Sequence, residues 1–267
     1  MDKDKNNKII KSPYYSLEKL SEDTALAKRG LRDLGIWPKI ETLLMEILRH
    51  FHDHNYQKCI DLCDEVLATD PLILLPLRHK ALGLQELKQY ENSLIWLDKV
   101  LAVDPDDVVA LCNKGFNLGE LGRYEDAIVE YDKALAIDPA FVEALFGKGG
   151  TLGRLGRRED SLIWFDKALV IDSAFVAVLY NKGLNLGLLD RYEDAIAEFD
   201  KALAINPVYV EALSKKGLIL CTLGKYQDAI EVFDKALEIN PRDTSVLNGR
   251  NLALDELAKK QYEQRQK

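Results

Sequence analysis

The chain repeats itself every 34 residues, and that period constrains its fold more than any other feature. Pro71, Pro105, Pro139, Pro207 and Pro241 fall on one lattice with this step, and Ser173 occupies the missing node. Gly115, Gly149, Gly183 and Gly217 form a second column; Ala127, Ser161, Ala195 and Ala229 form a third. Several columns in phase do not arise by chance. A fixed period of this length marks a fold in which one supersecondary unit is stacked on the next.

Within one unit, Leu111, Gly115 and Leu118 lie at i, i+4 and i+7 and share one face of a first helix, which Gly122 breaks. Ala127, Ile128, Tyr131, Ala134 and Leu135 then repeat helical spacing on a second helix, which ends at Asp138-Pro139 because proline cannot continue it. Each unit is therefore a helix-turn-helix hairpin. Small residues in the glycine and alanine columns let two helices cross closely, and Tyr131, Phe165, Phe199 and Phe233 fill the space beside the crossing. One hairpin cannot bury both its faces, so successive hairpins must stack into a continuous core.

The pattern of a Gly, a large residue, an Ala, an aromatic and a Pro, seen as Gly183, Leu186, Ala195, Phe199 and Pro207, resembles the tetratricopeptide repeat family across roughly residues 40 to 243. The resemblance implies an all-α fold, a right-handed α-solenoid of about six helix-turn-helix repeats whose first helices line a concave groove. The repeats are expected at 40–73, 74–107, 108–141, 142–175, 176–209 and 210–243. The first departs most from the pattern, with Ile47 in the glycine column, Cys59 in the alanine column and Cys63 in the aromatic column.

Residues 1–39 read as a tail and an N-terminal capping helix, with helical spacing over Leu17–Leu34 through Leu20, Leu26 and Leu31 and a stop at Gly35. The alternative is that this helix folds back into the groove as an internal ligand. Residues 244–267 read as a C-terminal capping helix and tail: Val246, Leu247, Leu254 and Leu257 continue the spacing of a first helix to about Ala258 with no second helix after it. Self-association through these ends is not demanded.

Hydrophobic content of 47% suits a packed interior, and a net charge of -8 disfavours nucleic acid, whose binding depends on cations that neutralise phosphates. No apolar run is long enough to span a membrane, and Met1–Lys11 does not resemble a secretory signal. Cys59, Cys63, Cys112 and Cys221 suggest no disulfide framework, which makes a cytoplasmic location the expectation.

No catalytic signature occurs: there is no phosphate loop, no H-E-x-x-H and no G-x-S-x-G. Gly147-Lys148-Gly149-Gly150 imitates a phosphate loop, but its glycines recur on the repeat lattice as packing sites. The units keep one length from Ile40 to Asp243, leaving no insertion to carry an active site. The expectation is a non-catalytic protein without a cofactor. One competing reading is metal handling by His50, His52 and His54, with Cys59 and Cys63 following. Both cysteines, however, occupy core columns, and free cysteine is among the most buried residue types.

A lysine column, Lys80, Lys114, Lys148, Lys182 and Lys216, stands where the family usually has Leu. It reads either as a cationic track or as alkyl stems covering apolar surface, with ammonium groups turned to carboxylates; the second is favoured because acidic residues abound.

By resemblance, the groove wall comes from the first helices: Leu48 and Phe51, then Leu82, then Asn113 and Phe116, then Phe146, then Tyr180, Asn181, Leu184 and Leu188, and finally Leu218. Gly119, Gly150, Gly153 and Gly187 fall among them and leave floor space. This mostly apolar wall suits an extended peptide or an amphipathic helix of a partner protein, with aromatic anchors and with Asn113 and Asn181 positioned to bond a peptide backbone. The charges along it, Arg78, Glu120, Glu143, Arg154, Glu211 and Lys215, are mixed in sign. The Lys, Asn and Arg clamp with which one subfamily holds the acidic tail of heat-shock chaperones is absent: Cys112 with Phe116, Phe146 with Gly150 and Tyr180 with Leu184 stand in its place. The expected function is a protein-interaction scaffold or adaptor.

Overall fold

A computed structural model describes residues 35–266. The N-terminal cap expected over Leu17–Leu34 lies outside the described residues. Those described form thirteen α-helices: α1 Trp37–His52, α2 Tyr56–Thr69, α3 Leu74–Glu86, α4 Tyr90–Val103, α5 Val108–Glu120, α6 Tyr124–Ile137, α7 Val142–Arg154, α8 Arg158–Ile171, α9 Val176–Leu188, α10 Tyr192–Ile205, α11 Val210–Thr222, α12 Tyr226–Ile239 and α13 Thr244–Arg265. The helices pack in order as pairs, each chiefly on its sequence neighbours. The chain divides into two compact units, 1–151 and 152–267, with the division inside α7.

The turn inside every pair has one construction. The residue at the turn takes positive φ: His54, Lys88, Gly122, Gly156, Asp190 and Gly224, all between 57° and 79° and all on the 34-residue lattice. Around each, two backbone bonds close the helix end, as where Gly122 N–H donates to the Gly119 carbonyl and Arg123 N–H to that of Leu118, at 3.1 and 2.8 Å. This is the left-handed C-terminal cap that satisfies a helix's last carbonyls, and glycine fills it in three of the six turns because it lacks a Cβ. His54 is thus a turn residue.

In the N-terminal unit, the Tyr131 ring fills the place of two missing side chains. A Cβ built on Gly115 would come 2.8 Å from it, and one on Gly147 2.5 Å. In the C-terminal unit Phe199 lies against Gly183 at 2.8 Å, and Phe233 against Gly217 and Gly249 at 2.6 and 2.7 Å, measured the same way. Where the glycine column carries a larger residue, the aromatic column carries a smaller one: Ala81 shares a core cluster with Leu97, and Ile47 shares one with Cys63. The departures in the first repeat are a volume exchange at one crossing, and all four residues are buried.

The last helix, α13, extends to Arg265, beyond the Ala258 expected. The Asp243 carboxylate accepts from Ser245 N–H and Val246 N–H at 3.0 and 3.1 Å and caps its start. Val246 and Ala253 are buried with Phe233 and Ala236, and Leu257 packs on that cluster. The apolar face of α12 is covered in this way.

Gly183→Ala drives a methyl into the fully buried Phe199 ring, and overpacking of this kind costs about 1–3 kcal/mol. Adding Phe199→Leu reproduces the Ala81 and Leu97 combination. Thermal unfolding is expected to show a lowered midpoint for the single variant and partial recovery for the double one.

Candidate functional site

In the N-terminal unit the first helices are α1, α3, α5 and α7 as far as Thr151; α1 touches α3, and α3 touches α5. Of the expected wall residues there, Leu48 and Phe51 are half-buried and pack on the core under α1 and α2, with the Phe51 ring edge-on to Tyr56 and His79 at 5.5 and 5.3 Å. Leu82, Asn113 and Phe146 are half-buried, whereas Phe116 is 42% exposed, with Tyr90 edge-on to it at 6.3 Å. In the C-terminal unit Tyr180 and Leu184 are half-buried against the Phe199 cluster, and Tyr180 also packs on Tyr209 at 5.1 Å. Asn181 is half-buried, its Nδ2 donating to the Ala177 carbonyl of its own helix at 2.8 Å. Leu188 and Leu218 face outward, 63% and 37% exposed. The row therefore has core-supported members and outward-facing members within each unit.

Arg78 does not stand on the wall. It is 4% exposed, and its guanidinium donates to Asp107 at 2.5 Å and to Asp104 at 3.3 Å. The repeat columns explain this exchange. Arg78 occupies the column of Phe146 and Tyr180, and Asp107 the column of Phe141, Phe175 and Tyr209. An ion pair thus replaces an aromatic contact of the Tyr180–Tyr209 kind, and Asp107 also caps α5 by accepting from Ala110 N–H at 3.0 Å. A buried charge is tolerated only when paired and bonded, as Arg78 is. Reading Arg78 as a wall charge missed the aspartate where other repeats have an aromatic ring.

The lysine column is not a free cationic track. Each lysine meets the aspartate sixteen residues earlier, on the second helix of the preceding pair: Lys80 with Asp64, Lys114 with Asp98, Lys148 with Asp132, Lys182 with Asp166 and Lys216 with Asp200. Arg250 continues the series onto Asp234 at 2.5 Å. Lys114 and Lys182 also reach Glu130 and Glu198, at 3.5 and 3.1 Å. The lysine side chains are 10–22% exposed, so their stems cover core while the ammonium groups are neutralised. The aspartates form a column of their own at the same period.

The histidines do not converge. His50 and His52 occupy the last turn of α1, and His54, in its turn, bonds through Nδ1 to the Tyr56 hydroxyl at 2.6 Å. Cys59 and Cys63 are buried in the core, where burial pushes the Cys63 thiol far above its ordinary range and away from the thiolate a metal needs. Among the described residues no group of three or more His, Cys, Asp or Glu side chains is placed to hold a metal ion. An open cleft of about 550 Å³ lies between α2 and α4, lined by Leu67, Pro71, Leu72, Trp96, Lys99 and Val103, and includes none of the wall residues.

His79, in the column of Asn113 and Asn181, is buried. Its Nδ1–H donates to the Leu75 carbonyl at 2.9 Å, and burial, with the Arg78 charge adding a little, lowers its pKa from 6.5 to about 4. Between those values the unfolded chain holds a proton that the folded chain does not. Stability is therefore expected to fall as pH drops through this window, by roughly 3 kcal/mol in full, and to level off below it. Urea unfolding across pH 4–7 is expected to show a shallower pH dependence for His79→Leu than for the wild type.

Among the described residues no helix is long and apolar enough to cross a membrane. Family models for the tetratricopeptide repeat match residues 180–244 and 118–156. No curated protein matches the chain significantly. Among solved structures, PilW, a widely conserved type IV pilus biogenesis factor, is similar with a TM-score of 0.72 and 21% identity, over 78% of this chain and 97% of that one. A tetratricopeptide repeat protein from Parabacteroides merdae gives 0.64 and 17%, over 89% and 98%. YrrB, a TPR protein with an unusual peptide-binding site, gives 0.56 and 19%, over 71% and 97%. The solved structures share the fold, and with the period, the paired helices and the glycine-seated rings, the family-model matches make the chain a tetratricopeptide repeat protein.

Proposed function

We propose that the protein is a non-catalytic scaffold or adaptor that holds a peptide or amphipathic helix of a partner protein in the groove along its first helices. The observation that carries this reading is the row of outward-facing apolar side chains on those helices: Phe116 in one unit, Leu188 and Leu218 in the other. The half-buried Leu48, Phe51, Leu82, Phe146, Tyr180 and Leu184 add partly exposed apolar surface to the first helices of their own units. Aromatic and aliphatic anchors on a rigid support are what a bound segment uses for most of its affinity. Open space at Gly150, where an added Cβ would meet nothing within 4 Å, gives an incoming side chain room. The peptide-binding site of YrrB supports the reading by likeness of fold. In this reading the six 34-residue repeats between 40 and 243 are the binding modules, and four free cysteines suit a cytoplasmic setting.

The test is affinity capture from native lysate with wild type beside a Phe116→Glu/Leu188→Glu variant. Both positions are exposed, so far-UV circular dichroism is expected to be unchanged. A partner retained by the wild type and lost from the variant supports the groove. Identical partners on both proteins overturn it.

A further inference from the structure

The last helix, α13, has two apolar faces and uses one. Val246, Gly249 and Ala253 are buried, with the Phe233 ring of α12 against Gly249. The second face carries Leu247 and Leu254, which stand in the columns of Leu111 and Leu118 on α5 and of Leu213 and Leu220 on α11. Those four leucines are 3–5% exposed and share core clusters with residues of the second helix of their own hairpin. Among the described residues no second helix follows α13, and Leu247 and Leu254 are 36% and 38% exposed. Asn251, between them, stands in the glycine column, where a Cβ on Gly217 would come 2.6 Å from the Phe233 ring. The open face therefore does not fit a ring-bearing helix of the kind that closes the α11–α12 hairpin.

Thr244, Leu247, Asn251, Leu254 and Ala258 follow one another at alternating steps of three and four residues, and all are exposed. That spacing is the seam of a two-helix coiled coil, with leucine at one seam position. We propose that α13 is a self-association site, at which this seam pairs in parallel with that of a second copy of the chain about a two-fold axis. In such a pair each seam residue meets its own copy. Asn251 then bonds Asn251 of the second copy, because an amide both donates and accepts, and one polar pair of this kind fixes register and orientation. The charges beside the seam match the same arrangement. Arg250 lies on one flank and Asp255 on the other, at the spacing where flanking residues of parallel helices meet across the pair. Arg250 holds Asp234 through Nε at 2.5 Å, and its guanidinium has further N–H groups for a second carboxylate. An antiparallel pair brings like flanks together and loses this match. The inference is independent of the groove reading. With two leucines in the seam, the dimer is expected to be weak, with a Kd in the micromolar range.

Sedimentation equilibrium of the full chain across the micromolar range is expected to show a reversible equilibrium between monomer and dimer. Leu254→Glu is expected to weaken the dimer about tenfold or more. Asp255→Arg sets a like charge against Arg250 of the second copy and is expected to weaken it about threefold at low salt and less at high salt. Both positions are exposed, so thermal midpoints taken where the wild type is monomeric are expected to stay unchanged. Under mild oxidation Ala258→Cys is expected to give a disulfide-linked dimer that the wild type does not, because parallel pairing sets residue 258 against its own copy. A wild type that stays monomeric throughout overturns the proposal in favour of a helix from another protein on this face. A dimer indifferent to Leu254→Glu, or one without the Ala258→Cys cross-link, overturns it as well.

Discussion

The seating of an aromatic ring against glycine where two helices cross is the contact on which the rest of the structure depends. It occurs inside a hairpin, as with Phe199 on Gly183, and between a hairpin and its successor, as with Tyr131 on Gly147. A single ring thereby sets both the width of its own pair and the approach of the next. Interiors packed to crystal density cannot absorb an extra methyl at such a place, which is why volume is traded when the pattern changes. Ile47 with Cys63 and Ala81 with Leu97 keep the crossing filled by the opposite division of bulk.

Polar contacts are added to this apolar register in step with it. The lysine-to-aspartate rungs join each first helix to the preceding second helix, and small hydroxyl pairs lie deeper. Asn117 donates to Ser93, and Asn185 to Ser161, each at 2.8 Å; all four are buried. These pairs recur at twice the basic period, as do Trp96 and Trp164, and Glu130 and Glu198. In the N-terminal unit the Trp96 ring lies under both Lys80 and Lys99, at 3.8 and 3.6 Å, where in the next repeat Glu130 bonds Lys114. The same lysine column is thus met by an indole face at Lys80 and by a second carboxylate at Lys114 and Lys182. Each contact is modest, and the array gains because each is made to a nearest neighbour.

Most of the architecture was legible before any coordinates, because a period that brings Pro, Gly, Ala and aromatic columns into phase admits few folds. The candidate wall was legible only as a set of columns. The columns alone do not place Arg78 in the core against Asp107, since it reads as one more charge among apolar residues. Likewise His54 reads as a ligand beside His50 and His52 until its positive φ identifies it as the turn residue that is Gly122 or Gly156 elsewhere.

The sequence by itself determined the hairpin, its turn and the need to stack, because those follow from local periodicity, from proline and glycine, and from apolar faces that one pair cannot bury. Only the tertiary structure decided which polar groups are spent and which are left facing outward. Pairing depends on distances between side chains of different repeats, such as Lys182 to Asp166 or Arg78 to Asp107, and no one-dimensional pattern carries those distances.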